Sequence, residues 1–193
     1  MRALLLLLAV PGVAAADGFH PTSWDEVGVV RTRISMGDGH AVDGFAVRFA
    51  PHVPLRHNLY LGAELDAGHL TGDIATPAVF RTTGGEMGPT SAVQGTFGAV
   101  RVVLGMRGRA GIISAGAELA AGFHRAELQD ANGLEVAVVE ATSTMIEGRG
   151  RLDLWLTPKL TIGGIAAVDL GQPRDVSAGL MLGFHFGDYD GMR

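Results

Sequence analysis

The chain is 193 residues long, the size of one domain, with 47% apolar residues, 18% charged residues, a net charge of −5 and no cysteine. That balance excludes a disordered or nucleic-acid-binding polyelectrolyte, a disulfide-stapled module and any cysteine-ligated metal site. Glycine makes up about 15% of the chain against a usual ~7%, and aromatic residues only 6%, which points away from a core of large side chains and toward a thin-walled architecture.

The N-terminus reads as an export signal. Met1-Arg2 is a short positive segment, Ala3 to Val10 is an unbroken apolar run, and Pro11-Gly12 breaks it. Ala14 and Ala16 supply the small residues of a cleavage site ahead of Asp17, so residues 1–16 are expected to be a signal peptide and 17–193 a single domain. The apolar run is too short to span a bilayer as a helix, and no later run approaches the ~20 residues that a helical span requires. No cysteine stands at the cleavage site to take a lipid.

Beyond the signal, apolar and polar residues alternate with a period of two. From Glu26 to Met36, the set Val30, Thr32, Ile34 and Met36 opposes Arg31, Arg33 and Ser35. From Gly44 to Ala50, Phe45, Val47 and Phe49 oppose Ala46, Arg48 and Ala50. Asn58 to Gly68 is the clearest segment, with Leu59, Leu61, Ala63, Leu65 and Ala67 against Tyr60, Gly62, Glu64 and Asp66. From Gln94 to Met106, Val100, Val102 and Leu104 oppose Arg101. From Ile112 to Arg125, Ile113, Leu119, Ala121 and Phe123 oppose Ser114, Gly116, Glu118, Gly122 and His124. From Met145 to Leu156, Ile146, Leu152, Leu154 and Leu156 oppose Glu147, Arg149, Arg151 and Asp153. Leu160 to Leu170 and Val176 to Phe186 complete eight candidate strands, the last with Val176, Ala178, Leu180, Leu182, Phe184 and Phe186 on its apolar side.

Their connections alternate in length. Pro51 to His57, Arg107 to Arg109 and Thr157-Pro158 are turn-like, whereas Gly37 to Asp43, His69 to Ala92, Gln129 to Ser143 and Gln172 to Asp175 fall at the opposite end of an up-and-down meander. Eight antiparallel strands of this kind close into a barrel just wide enough for side chains to fill.

The remaining question is which face points outward. A lipocalin-like carrier would turn the apolar face inward around a ligand, whereas a bilayer barrel turns it toward lipid and pairs polar groups inside. The polar face carries both signs, with Arg31, Arg33, Arg48, Arg101, Arg149 and Arg151 against Glu64, Asp66, Glu118, Glu147, Asp153 and Asp169. It also collects Gly62, Gly68, Gly116, Gly122, Gly163, Gly179 and Gly183, which make room for long side chains in a crowded interior. The expectation is therefore an all-β, eight-stranded antiparallel transmembrane barrel whose lumen holds those twelve charged residues as a salt-bridge network.

This pattern resembles the small eight-stranded outer-membrane β-barrel proteins of Gram-negative bacteria, similar in plan to the OmpA transmembrane domain and the OmpX-type barrels. The resemblance implies an outer-membrane location, membrane lipid and the barrel assembly machinery as partners, and a monomer. Such barrels end in a strand with alternating apolar residues and an aromatic, which Ala178, Leu180, Leu182, Phe184 and Phe186 resemble, although Gly187 to Arg193 follow. The resemblance also implies aromatic girdles, for which Trp24, Tyr60, Trp155 and Tyr189 are the Trp and Tyr residues, with Phe45, Phe49, Phe97, Phe123, Phe184 and Phe186 in support.

Chemistry is weakly signalled. No His is followed by Ser two positions on, as in lipid A deacylases of this class, and neither a Gly-x-Ser-x-Gly elbow nor a His-Glu-x-x-His motif occurs. His124 and His185 lie on the inward face by parity and read as lumen residues. Gly37-Asp38-Gly39-His40 with Asp43, and Asp188 with Asp190, fall short of a calcium loop and read as solvated turns. Gly84-Gly85-Glu86-Met87-Gly88 lacks the lysine of a phosphate loop. The expected function is non-enzymatic, structural, adhesive or narrow-pore, with no cofactor, metal, catalytic residue or nucleic-acid partner; a lipocalin-like carrier of an apolar ligand is the alternative.

Overall fold

A computed structural model of the chain describes residues 19–35, 41–56, 58–75, 90–130, 139–172 and 175–189. The segment expected to be a signal peptide, the Gly84–Gly88 stretch and residues 190–193 lie outside them. The eight strands are β1 (Phe19–Ser35), β2 (Ala41–Arg56), β3 (Leu59–Ala75), β4 (Thr90–Ala110), β5 (Ile113–Asp130), β6 (Val139–Thr157), β7 (Leu160–Asp169) and β8 (Val176–Tyr189). Each pairs antiparallel with its sequence neighbour, and β1 pairs with β8 to close the barrel.

The strands run well past the alternating cores that announce them. β2 continues through Pro51 and Pro54 to Arg56, and β4 continues through Arg107, Gly108 and Arg109 to Ala110, so two of the expected turns are strand. Between β4 and β5, the reversal falls instead on Gly111-Ile112, with Gly111 at φ 61° in the left-handed region that glycine enters without a steric penalty.

Register fixes the geometry of closure. The cross-strand row that starts at Arg31 passes through Phe45, His69, Thr96 and Glu127 to reach Glu140 on β6. Followed the other way, through Ala178 and Ala166, it meets β6 at Gly150, a stagger of ten residues. With eight strands and ordinary sheet spacings, that stagger tilts the strands by about 40° to the barrel axis. The outward apolar run on β5 from Ile113 to Phe123 then rises about 25 Å along the axis, the height of the apolar band on a membrane barrel.

The outer face of this band consists of apolar side chains that no described residue covers. Val47, Leu65, Val102, Leu119, Phe123, Leu152 and Leu180 are all exposed, Leu180 by 70%. The interior has three levels. Toward the long links, Ile34, Val42, Ala46, Leu70, Val93, Phe97, Ala126 and Leu128 form an apolar cluster. Charged side chains fill the middle, and Trp24, Tyr60, Val103 and Ala120 cluster toward the short turns.

On β1 the structure corrects the expected facing. Val30, Thr32 and Ile34 point inward, whereas Arg31 and Arg33 point outward and are more than half exposed. The alternation changes sign along the strand. Within the band, polar Glu26 faces in and Val27 and Val29 face out, but beyond it the interior becomes apolar and the exterior meets water. Arg31-Thr32-Arg33-Ile34 thus has the ordinary pattern of a soluble sheet, and its contrast gives the opposite facing to the segment that enters the membrane band.

Candidate functional site

The middle level of the barrel is the best-defined polar feature of the molecule. Strands β2 and β3 bring Arg48 opposite Asp66, and the guanidinium grips the carboxylate with two hydrogen bonds of 2.8 Å, from Nε and from Nη2. Arg101 of β4 donates from Nη1 to the same Asp66 at 2.7 Å and lies 3.4 Å from Glu147 of β6. Arg149 reaches across the barrel to Glu64, donating to both carboxylate oxygens at 2.6 and 2.7 Å, and donates to its own strand's Glu147 at 2.6 Å. One turn of the pleat further, Arg151 donates to Glu118 at 2.9 Å, to Asp153 at 3.0 Å and to Glu26. Arg107 closes the chain of contacts 2.8 Å from Asp153.

These side chains come from six strands and are almost fully buried, so each charge has lost its water and depends on its partner. Isolated burial of any one would cost several kcal/mol. Here each guanidinium faces at least one carboxylate, and four of the five face two or more. Neutral donors complete the set. Tyr60 donates its hydroxyl to Glu118 at 2.5 Å, while Ser114 accepts from Trp155 and Arg107 and donates to Asp153.

Glycines on the adjacent strands make this possible. A Cβ on Gly163 would lie 2.1 Å from the Asp153 carboxylate, and one on Gly105 would lie 2.2 Å from the Tyr60 ring. On β7 and β8, Gly163, Gly179 and Gly183 face the lumen, where a Cβ would meet Asp153, Val30 and Thr161.

The structure brings together Arg48, Glu64, Asp66, Arg101, Glu118, Glu147, Arg149, Arg151 and Asp153 of the twelve expected lumen charges. Arg31 and Arg33 are outside the barrel, both within 4 Å of Asp43, so they take no part. Asp169 faces inward, but its Oδ1 accepts from the backbone of Gly171 and Gln172 and shapes the β7–β8 link rather than answering Arg149 or Arg151. Glu26 and Arg107 belong to the network without having been expected there. For Glu26 the signal was present in the pair Val27 and Val29, whose outward facing forces Glu26 inward.

Toward the short turns lies an aromatic layer. Trp24 stacks on His52 with centroids 5.1 Å apart and on His185 at 5.8 Å, and Tyr60 meets Trp24 edge-on. Trp155 packs on His185 at 4.3 Å, Arg107 lies over both indoles, and Arg109 covers Trp155. Trp24, Tyr60 and Trp155 were expected in the interface girdles, but all three are buried in the lumen, as is Phe97. Gly62, Gly105 and Gly183 stand beside His52, Tyr60 and Thr161 and leave room for this layer. Phe45, Phe49, Phe123, Phe184 and Phe186 remain on the outer face. His185 shares a 3.1 Å hydrogen bond with Thr161, and His124 is buried beside Phe97.

With these carboxylates committed to guanidinium groups, the site is suited to bracing the wall and filling the lumen rather than to moving protons. Among the described residues no cluster of histidine and acidic side chains is spaced to hold a metal ion.

No protein-family model matches the chain, and no curated protein matches its sequence. Its likeness lies in the fold. The structure of Ail, the attachment invasion locus protein of Yersinia pestis, in complex with the heparin analogue sucrose octasulfate, is similar with a TM-score of 0.53 at 12% identity, over 85% of this chain and 97% of that one. Neisserial surface protein A is similar with a TM-score of 0.56 at 10% identity, over 86% of this chain and 97% of that one. The fold is that of the small eight-stranded outer-membrane β-barrels.

Proposed function

We propose that this protein is an integral outer-membrane β-barrel with an occluded lumen, acting as a structural or adhesive component of the envelope and carrying out no catalytic chemistry. The observation that carries this reading is the continuous apolar outer band, about 25 Å tall by the strand tilt, around an interior of paired charges. A water-soluble barrel with Phe45, Leu65, Val102, Phe123 and Leu180 exposed together would present far more apolar surface than a monomer keeps in solution. A lipocalin-like carrier would place its apolar lining and its charges the other way round.

The short turns and the strand termini share one end, so insertion leaves the longer links on the opposite, cell-exterior side. An adhesive role would be exercised by those links. Membrane lipid and the assembly machinery that inserts barrels are the partners this reading requires, and the closed ring of strands needs no second copy.

The test is refolding from urea into phospholipid vesicles followed by planar-bilayer recording. The reading predicts a protease-protected barrel with no steady conductance, because the ionic and aromatic levels fill the lumen. Large stable single-channel currents would refute the occluded lumen, and failure to enter the vesicles would refute the membrane barrel.

A further inference from the structure

On the outer face, where the apolar band of β1–β3 ends, two cross-strand rows meet the rim. One runs Ala178, Arg31, Phe45 and His69; the next, farther from the band, runs Val176, Arg33, Asp43 and Thr71. On β1 and β2, the row on the band side is Val29 and Val47, both exposed and apolar. Arg31, Asp43, Gly44, Phe45, His69 and Thr71 line a groove of about 330 Å³ there.

Among the described residues the charge of this groove is unbalanced. Arg31 and Arg33 both lean on the carboxylate of Asp43, at 3.5 and 3.8 Å, with neither making a contact as short as the tightest lumen pairs of 2.6–2.9 Å. Their side chains stay 66% and 52% exposed. Arg125, on the same outer collar, contrasts with them by meeting Glu127 at 2.6 Å. The other carboxylate nearby on this face, Asp73, stands one outward position beyond Thr71. Phe45, 63% exposed, lies directly beside Arg31 in the register.

We propose that this rim groove binds the phosphate-bearing headgroup of an anionic membrane lipid, held between the Arg31 and Arg33 guanidiniums, with an acyl chain lying on Phe45 and Val47. Guanidinium forks match phosphate oxygens in a bidentate fashion, and arginine stems at the edge of an apolar band carry their charge up to headgroup level. An apolar anchor directly beside a cationic pair selects a lipid over a free anion, because one ligand must satisfy both. The inference rests on the reading that the band lies in a bilayer.

The experiment reconstitutes the full chain into vesicles of phosphatidylcholine with a minor fraction of phosphatidylglycerol, extracts it gently, and counts retained lipids by native mass spectrometry. The wild type should keep one phosphatidylglycerol, R31Q/R33Q should lower its occupancy about tenfold, and R125Q should leave it unchanged. D43N, which removes the competing carboxylate, should raise retention, a gain that no loss of folding can imitate. Equal retention by wild type and R31Q/R33Q, equal loss in R125Q, or no gain in D43N would overturn the proposal. Displacement of the lipid by inorganic phosphate at constant ionic strength would overturn it in favour of a phosphate site. A wild type that never enters vesicles refutes the membrane reading, whereas one that enters without preferring phosphatidylglycerol refutes only the groove.

Discussion

Arg151 ties together carboxylates from three strands of the lumen, and its removal gives a sharp test of the ionic level. It contacts Glu26, Glu118 and Asp153, and its side chain is only 2% exposed. In Arg151→Met, two of the three carboxylates keep other partners. Asp153 retains Arg107 and Ser114, and Glu118 retains Tyr60 and a 3.4 Å contact with Arg149. Glu26 has no other ion pair among the described residues, so it becomes the stranded charge. Loss of one member of a buried pair costs about 3–5 kcal/mol, and the surviving contacts of Asp153 and Glu118 place this variant toward the lower end of that range. Adding Glu26→Gln should restore about 1–3 kcal/mol as the coupling between the two positions. The assay is urea unfolding from vesicles followed by tryptophan emission, since Trp24 and Trp155 both sit in the lumen and report its packing directly. Arg125→Ala, which breaks an exposed pair on the outer collar, is the reference and should cost less than about 1 kcal/mol. An Arg151→Met cost no larger than that of Arg125→Ala, or a double variant no more stable than the single, would refute the argument that the lumen charges depend on one another.

The outer band predicts that Leu61→Arg, on the lipid-facing side of β3, loses about 2–4 kcal/mol of folding free energy in bilayers if it lies near the midplane, measured by the same titration. Gly105→Val should displace the Tyr60 ring from Glu118 and lower the unfolding midpoint, whereas Gly150→Ala, whose Cβ meets nothing within 4 Å, should leave it unchanged. Equal effects would show that the glycines are not there to make room. Gly111→Val forces a β-branched residue into the left-handed region and should cost about 1–2 kcal/mol, with no change in spectroscopic signature of the folded lumen.

The alternation of β2 to β6 and β8 was legible because their sharpest contrast lies within the band, where lipid outside and charge inside both sort residues by polarity. Leu59 to Gly68 needs only that rule. β1 misled because its strongest contrast, Arg31 to Ile34, lies past the band, where the rule inverts; Glu26, Val27 and Val29 carried the opposite facing over a shorter span. The glycines follow the same alternation, but the side chains they make room for are His52, Ala46, Asp153, Val30 and Thr161, with Arg151 at Gly116. Trp24 and Trp155 were not legible as lumen residues, and Tyr60 was assigned to a girdle although its parity with Glu64 and Asp66 put it on the polar face, since a girdle and an aromatic plug draw on the same residue types and differ only in where the strand meets the membrane. Strand lengths escaped for a related reason. Pro51, Pro54 and the Arg107-Gly108-Arg109 stretch carry turn-like composition, yet barrel closure keeps the chain extended through them.

A barrel with this apolar outer band should have its outer face solvated by the outer membrane. Separation of the envelope of cells making the native protein into inner- and outer-membrane fractions on a density gradient, followed by extraction with and without detergent, tests it most directly. The protein is expected to sediment with the outer membrane, resist high salt and alkaline carbonate, and enter solution only with detergent. Recovery of a folded protein from the periplasmic fluid or culture medium without detergent would contradict it.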